Sequence, residues 1–255
     1  MAKSTQPTRS SKAAKSERQR LIDETMKKQK GADKKRSFAI VGVCILIAVI
    51  LVGAAAYRPV RNSIELRQYA GTELSSIGGP ASSCQKVETK KATGVSDHVP
   101  TGQEVTYDVA PPAYGPHWNE LNVAPAPFDD KFYDADDRPE LESLVHNLEH
   151  GYTILWYDET IADDASAVSE IQGMATKFQA DDQNFRLKFI AAPWLPSDEG
   201  GTSFPDGQHV AMTHWQGDAE QSTGVWQYCS EPSGAALQTF MKDYPFTDAP
   251  EANAI

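Results

Sequence analysis

Cysteine is scarce in this chain of 255 residues, three in all, and no two stand as CxxC, so dithiol redox chemistry lacks its usual motif. A P-loop, a glycine-rich dinucleotide turn and a GxSxG elbow are missing too, which leaves nucleotide, dinucleotide and serine-hydrolase functions without their binding or nucleophile elements. There is no internal repeat, and hence no solenoid. Basic side chains are sparse over most of the chain. Beyond residue 57, 12 Lys and Arg face 31 Asp and Glu, a net of −19; residues 1–57 hold the other 12 bases against four acids, a net of +8. The two parts are suited to different environments, and the acidic one is unsuited to nucleic acid.

Between them, Phe38 to Tyr57 is a run of 20 uncharged residues, long enough as a helix to cross a hydrocarbon core of about 30 Å. A cleaved signal peptide is the competing reading, since Ala54-Ala55-Ala56 resembles a processing site, but the leader is long and polar and the apolar run exceeds a usual signal core. The expected organisation is a basic tail over 1–36, a membrane helix over 37–57, a juxtamembrane stalk over 58–83 and a domain over 84–255. The bases before the span place the N-terminus in the cytoplasm and the acidic domain outside it. There disulfides persist, and Cys84 and Cys229 are the external pair, expected to be bonded, with two separate thiols as the alternative. The tail's charge serves topology and anionic lipid, with no nucleic-acid role.

What is present in strength is the stretch from Leu141 to Tyr157. Leu141, Leu144, Val145 and Leu148 recur at i, i+3, i+4 and i+7, the stripe of an amphipathic helix. Asp136, Asp137 and Pro139 mark its entry, and His150 and Gly151 its last-turn cation and left-handed cap. Tyr152 to Tyr157 is β-branched and aromatic without a polar period, a buried strand. His146 and His150 lie one turn apart opposite the leucine stripe, so another element covers them or they face water.

Upstream, Cys84–Glu88 and Glu104–Val109 are strand candidates, and Pro111-Pro112-Ala113-Tyr114-Gly115-Pro116-His117-Trp118 is a rigid loop that proline keeps out of helix and sheet. Downstream come a helix from Asp164 to about Gln179, strands at Arg186–Trp194, His209–Trp215 and Gly224–Cys229, and a last helix opened by Ser230-Glu231-Pro232 and striped by Leu237, Phe240, Met241 and Tyr244. The fold class is α/β, a small sheet with helices packed on it, of thioredoxin-like or related arrangement.

His146 and His150 at i, i+4 can reach one metal ion. His117 on the proline loop is the expected third donor, and Met212 and His214, alternating onto one side of their strand, are the next. With the thioether the set suits copper; three histidines alone suit zinc. Two other readings stand beside this. His150 can serve as a helix C-terminal charge, His146 can pair with Glu142, and His117 can hold a carbonyl. Alternatively, His146-Asn147-Leu148-Glu149-His150 matches HxxEH, the inverted zinc-peptidase pattern in which Glu149 activates a metal-bound water. That reading needs a carboxylate ligand from a downstream helix, for which Glu170 is the one glutamate available. The acidic runs at 129–130, 134–137 and 163–164 read as solvated surface, or as a face for a basic partner.

At Gly115-Pro116-His117 and at Val145-His146-Asn147-Leu148-Glu149-His150-Gly151 the chain resembles an actinobacterial, corynebacterial-like family of membrane-anchored proteins of unknown function. Its members are similar in having one N-terminal span, a PP-x-x-GPH loop and a VH-x-LEHG helix followed by an apolar strand. The resemblance runs from about Val105 to Glu251 and implies that His117, His146, Glu149 and His150 belong together. It departs at His214-Trp215, where a small apolar residue would precede the tryptophan. The expected function is that of a non-enzymatic, extracytoplasmic accessory protein of a larger membrane assembly, a respiratory complex being one candidate. An extracytoplasmic copper or zinc protein is the alternative, and a zinc hydrolase the third.

Overall fold

The computed structural model describes residues 16–27, 40–53, 66–92, 97–119, 130–179, 187–199, 203–218 and 221–253. Two compact units divide the chain, Met1–Ser63 and Ile64–Ile255. In the first, residues 16–27 and 40–53 are helical. The second of these carries the apolar run, with Ile45, Leu46, Ile50 and Leu51 all exposed. Among the described residues no helix is long and apolar enough to cross a membrane, so the expected span over 37–57 is not supported; residues 37–39 and 54–57 of it lie outside the described set.

The second unit is a mixed α/β domain built on five strands, β1 (Glu88–Ala92), β4 (Thr153–Tyr157), β5 (Phe189–Pro193), β6 (Val210–Gly217) and β7 (Ser222–Cys229), in the order β1-β7-β6-β4-β5. Only β4 and β5 run parallel; the other neighbours are antiparallel. A separate parallel ribbon joins β2 (His98–Val99) to β3 (His117–Trp118). The helices are α1 (Leu141–Glu149), α2 (Glu159–Ala162), α3 (Ala165–Thr176) and α4 (Gly234–Asp243).

Side-chain alternation along the strands sorts the core into two layers. Ile154 and Trp156 of β4, Ala211 and Trp215 of β6, and Trp226 of β7 meet the α1 stripe of Leu141, Leu144, Val145 and Leu148 on one face. Leu155, Tyr157, Val210, Met212 and Val225 meet α3 and α4 on the other, through Ile171, Met174, Leu237 and Phe240. The predicted helix after Asp164 forms, capped by the Asp164 carboxylate, which accepts from Ser166 and Ala167 N–H. The last helix starts later than expected, at Gly234, because Ser233 is its cap.

Three local expectations give way to stronger competitors. Asp134, Asp136 and Asp137 do not cap α1: they close a turn on themselves, Asp134 N–H donating to Asp137 at 2.8 Å, and the cap position falls to Glu140 without a side-chain bond. Glu104–Val109 forms no strand, because the Val105 N–H is used by the Glu142 carboxylate at 2.7 Å. Of the stretch read as a stalk over 58–83, residues 66–83 pack on the domain: Ile77 is buried in the second core with Leu74 and Tyr69 against it.

The expected disulfide forms between Cys84 and Cys229, 145 residues apart, pinning the chain before β1 to the end of β7. A cross-link closing so long a loop stabilises by about 5 kcal/mol in the chain-entropy treatment. Denaturant titration of Cys84→Ala/Cys229→Ala is expected to show a loss approaching that figure; a midpoint equal to wild type would contradict a structural role for the bridge.

Candidate functional site

Helix α1 is buried along its whole length, polar residues included. Its apolar stripe faces the sheet, and its other side is roofed by the segment carrying β2 and β3. Three hydrogen bonds fix that roof: Trp226 Nε1 donates to Pro111 O at 2.8 Å, Tyr228 Oη to Ala110 O at 2.8 Å and Tyr107 Oη to Pro116 O at 2.7 Å. Gly115 has φ +144, and a Cβ there would lie 2.7 Å from the Tyr107 ring, so the Gly-Pro-His turn needs its glycine both for conformation and for space.

The roof brings His117 onto α1. Its Nδ1 donates to Gly115 O at 2.8 Å, and its Nε2 lies 2.9 Å from Glu149 Oε2. With Nδ1 committed as a donor, Nε2 would face the carboxylate with a lone pair unless a proton lies between them or a metal ion takes the proton's place. His117 stacks on His146 at 4.9 Å between ring centroids. His98, the register partner of His117 in the β2–β3 ribbon, brings its Nε2 to 3.6 Å from Glu149 Oε2. His98, His117, His146 and Glu149 thus place one donor atom each within 4.8 Å of one another. Trp215 closes the floor, 5.9 Å edge-on to His117.

Two donors on one tetrahedral zinc at 2.0–2.1 Å stand about 3.4 Å apart; the 2.9 and 3.6 Å contacts to Glu149 bracket that distance. His117, His146 and Glu149 are buried, and His98 is 40% exposed at the mouth. The Nδ1 atoms of His146 and His150 are buried and have no hydrogen-bond partner among the described residues, an arrangement that costs about 1–3 kcal/mol for each group unless something satisfies it.

Electrostatics keep the helix histidines neutral. Burial, followed by the charges of His150 and His117, lowers His146 to about 3, with Glu149 opposing. Burial lowers His150 to about 4, opposed by Glu149 and aided by Lys188. Glu149 is pushed up by its own burial, but the His117 hydrogen bond and the neighbouring histidine charges outweigh this and hold it below its ordinary value. The reading of His150 as a cationic helix cap therefore falls away, and Glu142 is held by Val105 N–H rather than by His146.

Of the residues expected from sequence, His117, His146 and Glu149 come together, and His150 stands at their edge, 4.4 Å ring to ring from His146 and 3.5 Å from Glu251. Met212 and His214 do not join them. Both point to the sheet face away from α1: Met212 enters the second core, and His214 is held by Asp248 at 2.8 Å, with Tyr152 O at 3.3 Å. Their neighbour Trp215, of opposite parity, is the one that reaches the site. Glu170 rides on α3, which packs against the opposite face of the sheet, so the third ligand of the HxxEH reading is not supplied. His98 is the residue that the sequence reading missed. A two-residue parallel ribbon leaves no periodic trace, and only its being a histidine in the segment before the proline loop hinted at it.

Three histidines and a glutamate, all but His98 buried, thus form one cluster on an α/β scaffold. Residues 98–254 match the family described as protein of unknown function, DUF3105, and the chain belongs to that family. No curated protein and no solved structure matches it.

Neutral histidines make the metal-free protein sensitive to acid in a defined direction. Unfolded histidines take up protons near pH 6.5, whereas His146 and His150 resist until about 3 and 4. The unfolded state therefore binds more protons in between, and stability falls as the pH drops through this window. In chelator-treated protein the denaturation midpoint is expected to be flat above pH 7 and to fall between pH 6.5 and 5, with a shallower fall in His146→Gln. A midpoint that rises on acidification would contradict the neutral assignment.

Proposed function

We propose that this protein is an extracytoplasmic metal-binding protein whose site is His98, His117, His146 and Glu149, with zinc(II) the ion best suited to it. The observation that carries the reading is the convergence of these four donors under a roof that buries three of them. Imidazole and carboxylate suit zinc or copper(II). With Met212 on the far face, no thioether joins the cluster among the described residues, and the argument for copper(I) goes with it. When bound, the ion would replace the proton between His117 and Glu149, while the Nδ1 hydrogen bond to Gly115 O orients the ring from behind. Binding is favoured over peptide hydrolysis because Glu149 sits among the donors instead of standing free beside a metal-bound water.

The strand order β7-β6-β4-β5 supports the thioredoxin-like reading of the fold, with β4 and β5 parallel across α2 and α3, and β6 and β7 antiparallel before α4. Anchoring in a membrane, with the domain outside and a larger membrane assembly as partner, is supported by the uncharged run at 38–57, by the basic tail before it and by the disulfide.

Equilibrium dialysis of the full chain against zinc tests the binding. Wild type and His214→Ala are expected to retain a tightly held ion, and His117→Ala and His146→Ala to lose at least tenfold in affinity. Wild-type protein that takes up no zinc, or a His214→Ala loss equal to that of His146→Ala, would contradict the assignment.

A further inference from the structure

A second group of donors adjoins the first and shares Glu149. Glu149, His150 and Glu251 each place one donor atom within 4.8 Å of the others, and His150 Nε2 lies 3.5 Å from Glu251 Oε2. Glu251 does not reach there on a loose tail. Its own N–H donates to Glu149 O at 2.9 Å, Lys188 Nζ ties His150 O at 2.7 Å to Ala252 O at 3.0 Å, and Asp248 is held by His214 and Gln216 three residues earlier. His150 is buried, and its Nδ1 finds no hydrogen-bond partner among the described residues. The HxxEH spacing therefore divides between two groups: His146 turns to the first, His150 to the second, and the glutamate between them touches both.

We propose that Glu149 bridges two divalent metal ions, the first held by His98, His117 and His146, the second by His150 and Glu251. The proposal rests on reading the first cluster as a metal site. A carboxylate has two oxygens and can ligate two cations, the arrangement of two-metal centres whose ions stand about 3.5–4 Å apart. The two positions differ in kind. The first has four protein donors, a full tetrahedral set; the second has three, and the Glu251 side chain is 51% exposed, so water completes its coordination. The buried Lys188 ammonium is the fixed positive charge beside the second position. Repulsion from it, and from the first ion, makes the second the weaker.

The full chain, stripped with chelator and dialysed against zinc, tests this. Wild type is expected to bind two ions, the second at least tenfold more weakly. Glu251→Gln and His150→Gln are expected to bind one, with the tight affinity unchanged, and Glu149→Gln to weaken both. Because Glu251 is half exposed, its variant keeps the test independent of folding. One ion in wild type, unaffected by Glu251→Gln, overturns the bridge and leaves the first site standing. Two ions retained in both Glu251→Gln and His150→Gln place the second ion elsewhere and also overturn it. No ion in wild type overturns both the bridge and the site on which it rests.

Discussion

The contact on which the rest of this domain depends is that between His117 and Glu149, 2.9 Å apart and excluded from water. It joins the proline loop to the far end of α1, 32 residues along the chain. A carboxylate removed from water costs several kcal/mol unless it is paired and hydrogen-bonded, so Glu149 holds the loop down as firmly as the loop holds it. Either a proton or a cation must lie between the two groups. With a proton the contact is a buried hydrogen bond; with a cation it would be a metal site.

Around this contact each element has a reason for its place. The leucine stripe commits α1 to the sheet and turns its polar side outward, where it would be solvated without cover. The cover is a loop stiffened by proline, hung from β7 by backbone carbonyls that accept from Trp226 and Tyr228, and β7 is in turn stitched to the start of the domain by the Cys84–Cys229 bond. Gly151, at φ +91 with Phe246 O 2.5 Å from where a Cβ would sit, turns the chain sharply into β4. It also lets the C-terminal segment approach the end of α1.

Much of this was legible in the residues. The α1 stripe, the apolar strand after Gly151 and the Asp164 cap follow from local rules that tertiary packing did not override, and the Cys84–Cys229 bond forms as expected. The helix histidines and the Gly-Pro-His loop could be joined because an uncovered polar face demands a cover. What escaped was decided by long-range register. Alternation placed Met212 and His214 together on one side of β6 but could not say which side faces α1, and the sheet put Trp215 there instead. His98 enters through a two-residue pairing with His117, too short to mark the sequence. The acids at 134–137 looked like helix caps and instead satisfy their own turn, since a local bond forms at less entropic cost than one reaching to Leu141.

X-ray absorption on the full chain loaded with one equivalent of zinc tests the central claim most directly. The account predicts a shell of nitrogen and oxygen alone at about 2.0–2.1 Å, with outer scattering from three imidazoles. A sulfur neighbour near 2.3 Å, or scattering from a single imidazole, would contradict it.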